Sequence, residues 1–587
     1  MKQFLITVGG VLVGLVLFLF IGPFILISML MASMSSQPAQ PAHMVLALDL
    51  REPMSDQRPT NPFAALGDGH SLLDTLARIE AARTDNAVEG LYVRANTGGM
   101  PAAQAEELRA ALAAFRASGK FVVAHLQNDN VRMGMPGYMA VADADEVWLQ
   151  DASEFMPMGL SAEVTFLAGT LQRYHMEAQF ITREDYKTAA HSLTQRTFTP
   201  QHREQVLGLM NGIYEVMLNN IAADRGITPA AVRAAIEATP FTADRAVELG
   251  LVDRRGRPYD AEQSALARAE HRNAEIVDFA DYRPRPSTSG RVIAVVQGEG
   301  AIVSGPEEGG FFSDDSVMNS DRIAEALLEA SEDEDVAAIV FRVSSPGGSV
   351  VASDQILAAL RVAKERGKHI VVSMGEVAAS GGYYVSAYAD EIVASPSTIT
   401  GSIGVLGGKL IIGPAFDYYL STNTETLTVG SPMVEMFTSE RRFNQAEHAA
   451  FEGFIDRAYT GFINLVAEGR GMTPEQVRPL AGGRVWTGQQ ALEHGLVDHL
   501  GGFSVAVARA RALAGIAEDA RVQLRYYPEQ ESPFKALEGL FGASAESVEA
   551  LVQLNAALQD PRMRRMLAAM REEDAAVRAD SEAPSIR

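Results

Sequence analysis

The chain repeats itself. The segment around Tyr383, SMGEVAASGGYYVSAYADEIV, aligns with that around Tyr138, AHLQNDNVRMGMPGYMAVADADEVWL, placing Asp390-Glu391 on Asp145-Glu146 at an offset of 245 residues. The same offset carries Leu251-Val252-Asp253 onto Leu496-Val497-Asp498 and Phe198 onto Phe443. The repeat therefore spans most of two half-chains and constrains the fold to two related units. At this offset Ser380 falls on Met135, so Ser-Gly-Gly in one copy stands against Met-Pro-Gly in the other. One half kept a candidate nucleophile; the other lost it or took another job.

Length agrees with the repeat, since 587 residues exceed what one hydrophobic core supports. No Asp, Glu, Lys or Arg lies between Lys2 and Asp49, and Phe4 to Leu30 is almost wholly apolar. As a helix that run is about 40 Å long, enough to span a bilayer with some tilt. It exceeds a signal-peptide core and lacks a clear small-x-small cleavage site before SMSSQPAQPAH, so it reads as an uncleaved signal anchor. With Lys2 and the amino terminus as the nearby positive charges, the N-terminus is expected in the cytoplasm and the remaining mass across the membrane. The net charge of −24 offers no basic stripe for a phosphate backbone, which argues against nucleic acid as a partner. The absence of cysteine excludes disulfides, thiolate metal sites and a cysteine nucleophile.

Strand and helix patterns alternate in the same order in each half. VLALDL, a helix over Ser71–Arg83 and GLYVRANTGG are matched by RVIAVVQ, a helix over Asp321–Glu332 and AAIVFRVSSPGG. This alternation predicts an α/β unit in each half. Both halves close with one helical layer, ITPAAVRAAIEATPFTADRAVELGLVD and MTPEQVRPLAGGRVWTGQQALEHGLVD, and DYRPRPSTSG at 281–290 is the natural boundary. The expected organisation is an anchor and linker over 1–45, a first repeat over 46–285, a second over 286–527 and a helix-prone, polar tail over 528–587.

Gly347 and Gly348 follow the apolar strand IVFRV directly. Glycines at a strand end let a ligand approach the backbone and can aim amides at an oxyanion, although most such pairs are only turns. A second apolar strand, HIVVSM, leads through GEVAA into Ser380-Gly381-Gly382 and a helix-like YYVSAYAD. A serine at the first turn of a helix sits beside unpaired N–H groups and the positive end of the dipole. It is either a helix cap or a nucleophile, and two glycine-bearing strand ends in one unit favour the second. No Gly-x-Ser-x-Gly elbow surrounds Ser380, and none of the eleven histidines lies close to it in sequence, so the residues alone name no base. No zinc motif is present, and ITGSIGVLGGKL resembles a phosphate loop only superficially, because Leu410 follows Gly408-Lys409.

SSPGGSV, VAASGGYYVSAYADEIVASPSTITGSIGV, REDYKTAAHS and the tandem halves behind an anchor resemble the signal peptide peptidase A family, also called protease IV, in its long, duplicated, membrane-anchored form. The resemblance covers nearly the whole chain except the tail. It implies tandem ClpP/crotonase-like α/β domains behind an N-terminal transmembrane helix, and a serine endopeptidase using a Ser/Lys dyad without metal or cofactor. It further implies hydrophobic peptide substrates such as signal-peptide remnants, a homotetramer, and a single-pass protein of the bacterial inner membrane with periplasmic catalytic domains.

By the same resemblance Ser380 is the nucleophile and Lys187, in Tyr-Lys-Thr-Ala, is the general base. Ser402 orients the lysine, and backbone N–H groups of Gly348 or Gly347 together with Gly381 form the oxyanion hole. The repeat offset takes Lys187 to Pro432, so each copy lacks what the other retains. An exposed lysine, with a pKa of about 10.4, is protonated at neutral pH, whereas burial can lower that value by several units. Lys187 is therefore expected in a desolvated interface between the halves, within reach of Ser380. Two positions depart from the family pattern: Ser344 stands where relatives often have Asn, and His191 replaces an acidic residue four after the lysine, where it bears on the lysine's pKa. Two rival readings keep the fold without the peptidase: a crotonase-type acyl-CoA enzyme and a non-catalytic membrane scaffold.

Overall fold

The structure is a computed structural model that describes residues 40–58, 71–95, 99–127, 134–284, 290–305, 317–518 and 520–528. The apolar run Phe4–Leu30, the residues between 284 and 290 and the tail beyond Pro528 lie outside the described residues. Among the described residues no helix is long and apolar enough to cross a membrane.

Each half builds a largely parallel sheet. In the first the strand order is Arg254–Arg255, Glu146–Leu149, Phe121–Leu126, Val88–Ala95, Met44–Leu50 and Glu275–Asp278, every pair parallel. In the second it is Val485–Thr487, Ile399–Gly401, His369–Ala379, Val336–Ser345, Arg291–Glu299 and Val522–Tyr527, with only the first pair antiparallel. Parallel strands need helical crossovers that cover both faces, so their sequences are apolar almost throughout; Val336–Phe341 is buried at all but one position. The mixed α/β tandem is of the class that the alternation predicts. One strand is longer than its apolar core: His369–Ala379 continues through GEVAA because Val377–Ala379 pair with Ile399–Gly401.

The duplication persists down to single hydrogen bonds. Tyr383 donates its hydroxyl to the carbonyl of Leu496 at 2.9 Å, and Tyr138 donates to Leu251. Arg470 pairs with Asp498 at 2.5 Å, and Arg225 with Asp253 at 2.6 Å. The long helices Pro200–Arg225 and Gln445–Gly469 are capped by Thr199 and Asn444, whose side chains accept backbone N–H groups that the first turn leaves unpaired. Thr228 and Thr473, then Thr242 and Thr487, cap the next two helix pairs.

The halves are nevertheless interlocked. Glu177–Thr182 of the first half pairs antiparallel with Leu406–Ile411 of the second, Thr182 opposite Leu406 and Glu177 opposite Ile411. Arg342, with no exposed surface, donates at 2.8 Å to both Asp56 and Glu107 of the first half. The N–H of Phe503 donates to Glu107 at 2.6 Å, and Ser397 donates to Glu106 through its N–H at 3.1 Å and its hydroxyl at 2.6 Å. Buried polar and charged groups of this kind are tolerated only when they are hydrogen-bonded. Residues 43–58 and 71–528 accordingly form one compact unit.

Candidate active site

Ser380 directly follows the strand His369–Ala379 and stands as the N-cap of the helix Gly381–Ser386. Its φ of 55° and ψ of −116° fall in a region that disfavours side chains. Two backbone bonds hold it there: its N–H donates to Gly401 O at 2.9 Å, and its carbonyl accepts from Tyr384 N at 2.8 Å. Its side chain makes no capping bond and turns instead toward Lys187.

Lys187 lies in the connection between the strand Glu177–Thr182 and the short helix His191–Thr194. The exchanged strand pair carries this segment onto the second half, where Tyr186 N donates to Gly482 O at 3.2 Å. The lysine is 5% exposed. Its Nζ is 3.0 Å from Ser380 Oγ, 2.9 Å from Ser402 Oγ and 2.9 Å from Ser402 O, all in the same chain. Burial pushes its ammonium down to about 8. The ring of His191 packs instead beside that of His202, with centroids 5.4 Å apart, and has no part in the lysine's shift.

Ser402 itself has φ of 50°, and its N–H donates to Arg484 O at 2.7 Å. Gly347 has φ of 98°, and a Cβ there would come within 2.6 Å of Gly381 N and 2.8 Å of Ser380 Cβ. Gly347 N already donates to Ser345 Oγ at 3.1 Å. A Cβ on Gly348 would lie 2.1 Å from Ile302 O, so both positions require glycine. Gly381 opens the helix, where the geometry leaves the first N–H groups without intrahelical acceptors. The structure thus brings Ser380, Lys187, Ser402, Gly347, Gly348 and Gly381 around one cavity of about 340 Å³. Tyr384, Val350, Val405, Ala458 and Phe462 give it an apolar wall.

Among the described residues, the corresponding place in the first half holds no such group. Met135 is 1% exposed within the first half's core, and Pro432 is exposed. Among the described residues, the one converging set of histidine and carboxylate ligands is His43, Glu89 and His271, none of which lines this cavity.

Two contributors escaped the sequence reading. Gln205, buried, donates to Thr188 Oγ1 at 3.2 Å and accepts from Val485 N at 3.2 Å, tying the lysine segment to the second half. Gly483 lets that segment approach. Nothing in the sequence marks Gln205, but Gly482-Gly483 faces Glu237-Ala238 at the repeat offset, and this asymmetry was a usable signal.

Residues 114–272 and 362–517 each match peptidase family S49. Protease 4 of Salmonella typhi is 31% identical over 522 residues, covering 84% of this chain and 82% of its own length. Protease 4 of Haemophilus influenzae is 30% identical over 77% of this chain and 74% of its own. The chloroplastic serine protease SPPA of Arabidopsis thaliana is 28% identical over 82% and 70%. A serine peptidase is the class these matches define. The chain belongs to peptidase family S49 and carries its unit twice.

Proposed function

We propose that this chain is a membrane-anchored endopeptidase that hydrolyses hydrophobic peptides through a Ser380/Lys187 dyad. The observation that carries the reading is the 3.0 Å contact between Lys187 Nζ and Ser380 Oγ in a desolvated cavity. A neutral amine has two N–H donors and one lone pair. Donation to the carbonyl and hydroxyl oxygens of Ser402 leaves the lone pair for the Ser380 proton. Ser380 Oγ then attacks the peptide carbonyl as its proton passes to Nζ. The oxyanion rests on the N–H groups of Gly348 and Gly381, and Gly347 keeps the approach clear. Collapse breaks the C–N bond as the ammonium protonates the leaving amine. Water, deprotonated by the same lysine, cleaves the acyl ester.

The apolar wall of Tyr384, Val405 and Phe462 suits hydrophobic side chains, as in signal-peptide remnants. The anchor at Phe4–Leu30 would keep the site beside such substrates at the bacterial inner membrane, the catalytic halves on the periplasmic side. A fluorophosphonate probe tests the dyad. Wild type is expected to label, and Ser380→Ala and Lys187→Ala are expected not to. Equal labelling of all three would leave a scaffold or an acyl-CoA enzyme.

Assembly into a homotetramer belongs to the same reading and is supported by the repeat. The strand Leu406–Ile411 corresponds to residues 161–166, and Glu177–Thr182 to residues 422–427. Neither counterpart is in a strand here, and Leu427 and Val429 are 99% and 97% exposed. Exposed segments outside the sheets can recruit a partner strand. Copying the internal register pairs Val164 of one chain with Thr424 of the next. Because the chain has no cysteine, oxidised Val164→Cys/Thr424→Cys protein should give a ladder of cross-linked chains. Monomers alone would count against this interface.

A further inference from the structure

Three residues from separate elements meet at one end of the first sheet. His43 precedes the strand Met44–Leu50, Glu89 is the second residue of Val88–Ala95, and His271 lies between the helix Pro258–Arg268 and the strand Glu275–Asp278. Those strands are parallel neighbours, so their amino-terminal ends lie side by side. Nδ1 of His43 lies 3.0 Å and Nδ1 of His271 2.8 Å from one oxygen, Glu89 Oε1. The two rings stack with centroids 3.5 Å apart and planes 14° from parallel.

The two nitrogens are not equivalent. His271 Nδ1 hydrogen-bonds the carboxylate, and the His271 N–H donates to Glu89 Oε2 at 3.2 Å. His43 Nδ1 is shut off from solvent and, despite its 3.0 Å separation, has no hydrogen bond of acceptable geometry. A buried polar atom without a partner is costly, and here it faces a second imidazole and a carboxylate.

We propose that His43, Glu89 and His271 bind a divalent transition metal, zinc foremost. Two imidazole nitrogens and one carboxylate oxygen form a donor set suited to zinc and ill suited to magnesium or calcium, which prefer oxygen. Zinc–ligand distances of about 2.0 to 2.2 Å place tetrahedral donors roughly 3.3 Å apart. The two nitrogen–oxygen separations, 3.0 and 2.8 Å, need to open by about half an ångström or less to reach that spacing. The His271 side chain is 49% exposed, which leaves a fourth position open to water.

The second half shows that the fold does not require this cluster. It builds the same strand pair in the same register with Arg291 and Ala337 in place of His43 and Glu89. A bound ion would tie the residue just before the first strand to both neighbouring elements and resist opening of that end of the sheet. No contiguous motif links positions 43, 89 and 271, so the sequence carries no zinc signature.

Zinc chloride titrated into metal-stripped full-length protein tests the site, with magnesium as control. One equivalent of zinc per chain is expected to bind and raise the melting temperature, while magnesium does neither. His271→Ala, in an exposed loop, and Glu89→Gln should each weaken zinc binding by at least about tenfold. No saturable binding, or unchanged affinity in both variants, overturns the proposal. Cobalt-loaded wild type is an independent check that needs no variant to fold: intense visible bands of a tetrahedral site support it, and the weak spectrum of hexaaquo cobalt overturns it.

Discussion

Gly483 touches Lys187 backbone to backbone: a Cβ built on the glycine would lie 2.5 Å from the N, Cα and Cβ of the lysine. Its φ of 82° disfavours any side chain as well. Gly483→Ala should therefore push the lysine segment away from Ser380. A displacement near 1 Å is expected to lower kcat/KM on the order of 100-fold. Steady-state kinetics beside an unchanged circular dichroism spectrum would check this.

The lysine's environment sets the pH dependence. Burial favours the neutral amine, with the ammonium's pKa lowered to about 8. The base is thus protonated and idle below that value and free above it, so kcat/KM should rise through an inflection near pH 8. Lys187→Met should abolish turnover over the whole range. A pH–rate profile that is flat from pH 6 to 9 would contradict the dyad.

Ser402→Ala removes one of the two acceptors for the amine and leaves the carbonyl contact at 2.9 Å. A lost hydrogen bond of this kind is worth about 1 kcal/mol, so kcat should fall roughly 5- to 10-fold. The inflection of the pH–rate profile should move as well, which a merely structural turn serine would not cause.

Met135→Ala separates the halves' roles. The side chain is buried in the first core, and its truncation should cost about 2 to 5 kcal/mol of stability. Turnover in the folded protein should persist. Loss of hydrolysis with folding intact would mean that the first half's position takes part in the chemistry.

Burial of Glu106 gives stability a pH dependence. Desolvation raises its pKa to about 7, against the opposing hydrogen bonds from Ser397. Between an unfolded value near 4.5 and the folded value, the native state holds a proton that the unfolded chain releases. Its contribution is complete below pH 4.5 and is lost as pH rises through 7, at about 1.4 kcal/mol per pKa unit. Melting temperatures at pH 5 and pH 8 should differ less in Glu106→Gln than in wild type.

Much of this architecture was legible in the residues because repetition and alternation are local signals. The 245-residue offset marked the halves, and the matching alternation of VLALDL and RVIAVVQ with the helices that follow them gave their class. Ser380 was visible through its glycines, whereas Lys187 came only through resemblance, because burial is a property of the assembled fold. The pairing of Glu177–Thr182 with Leu406–Ile411 was not legible: an edge strand does not name its partner. Gln205 and the trio His43, Glu89 and His271 join distant elements and leave no periodic trace.

The exchanged strand pair also fixes when, during synthesis, the proposed base is formed. Synthesis delivers the first half before the second. Until the strand Leu406–Ile411 and Gly483 arrive, nothing from the second half covers Lys187, and a water-exposed lysine is an ordinary cation. The contacts that join the halves are the ones that strip water from the amine. With the proposed dyad, folding is thus the step that forms the base, and a half-folded chain lacks it.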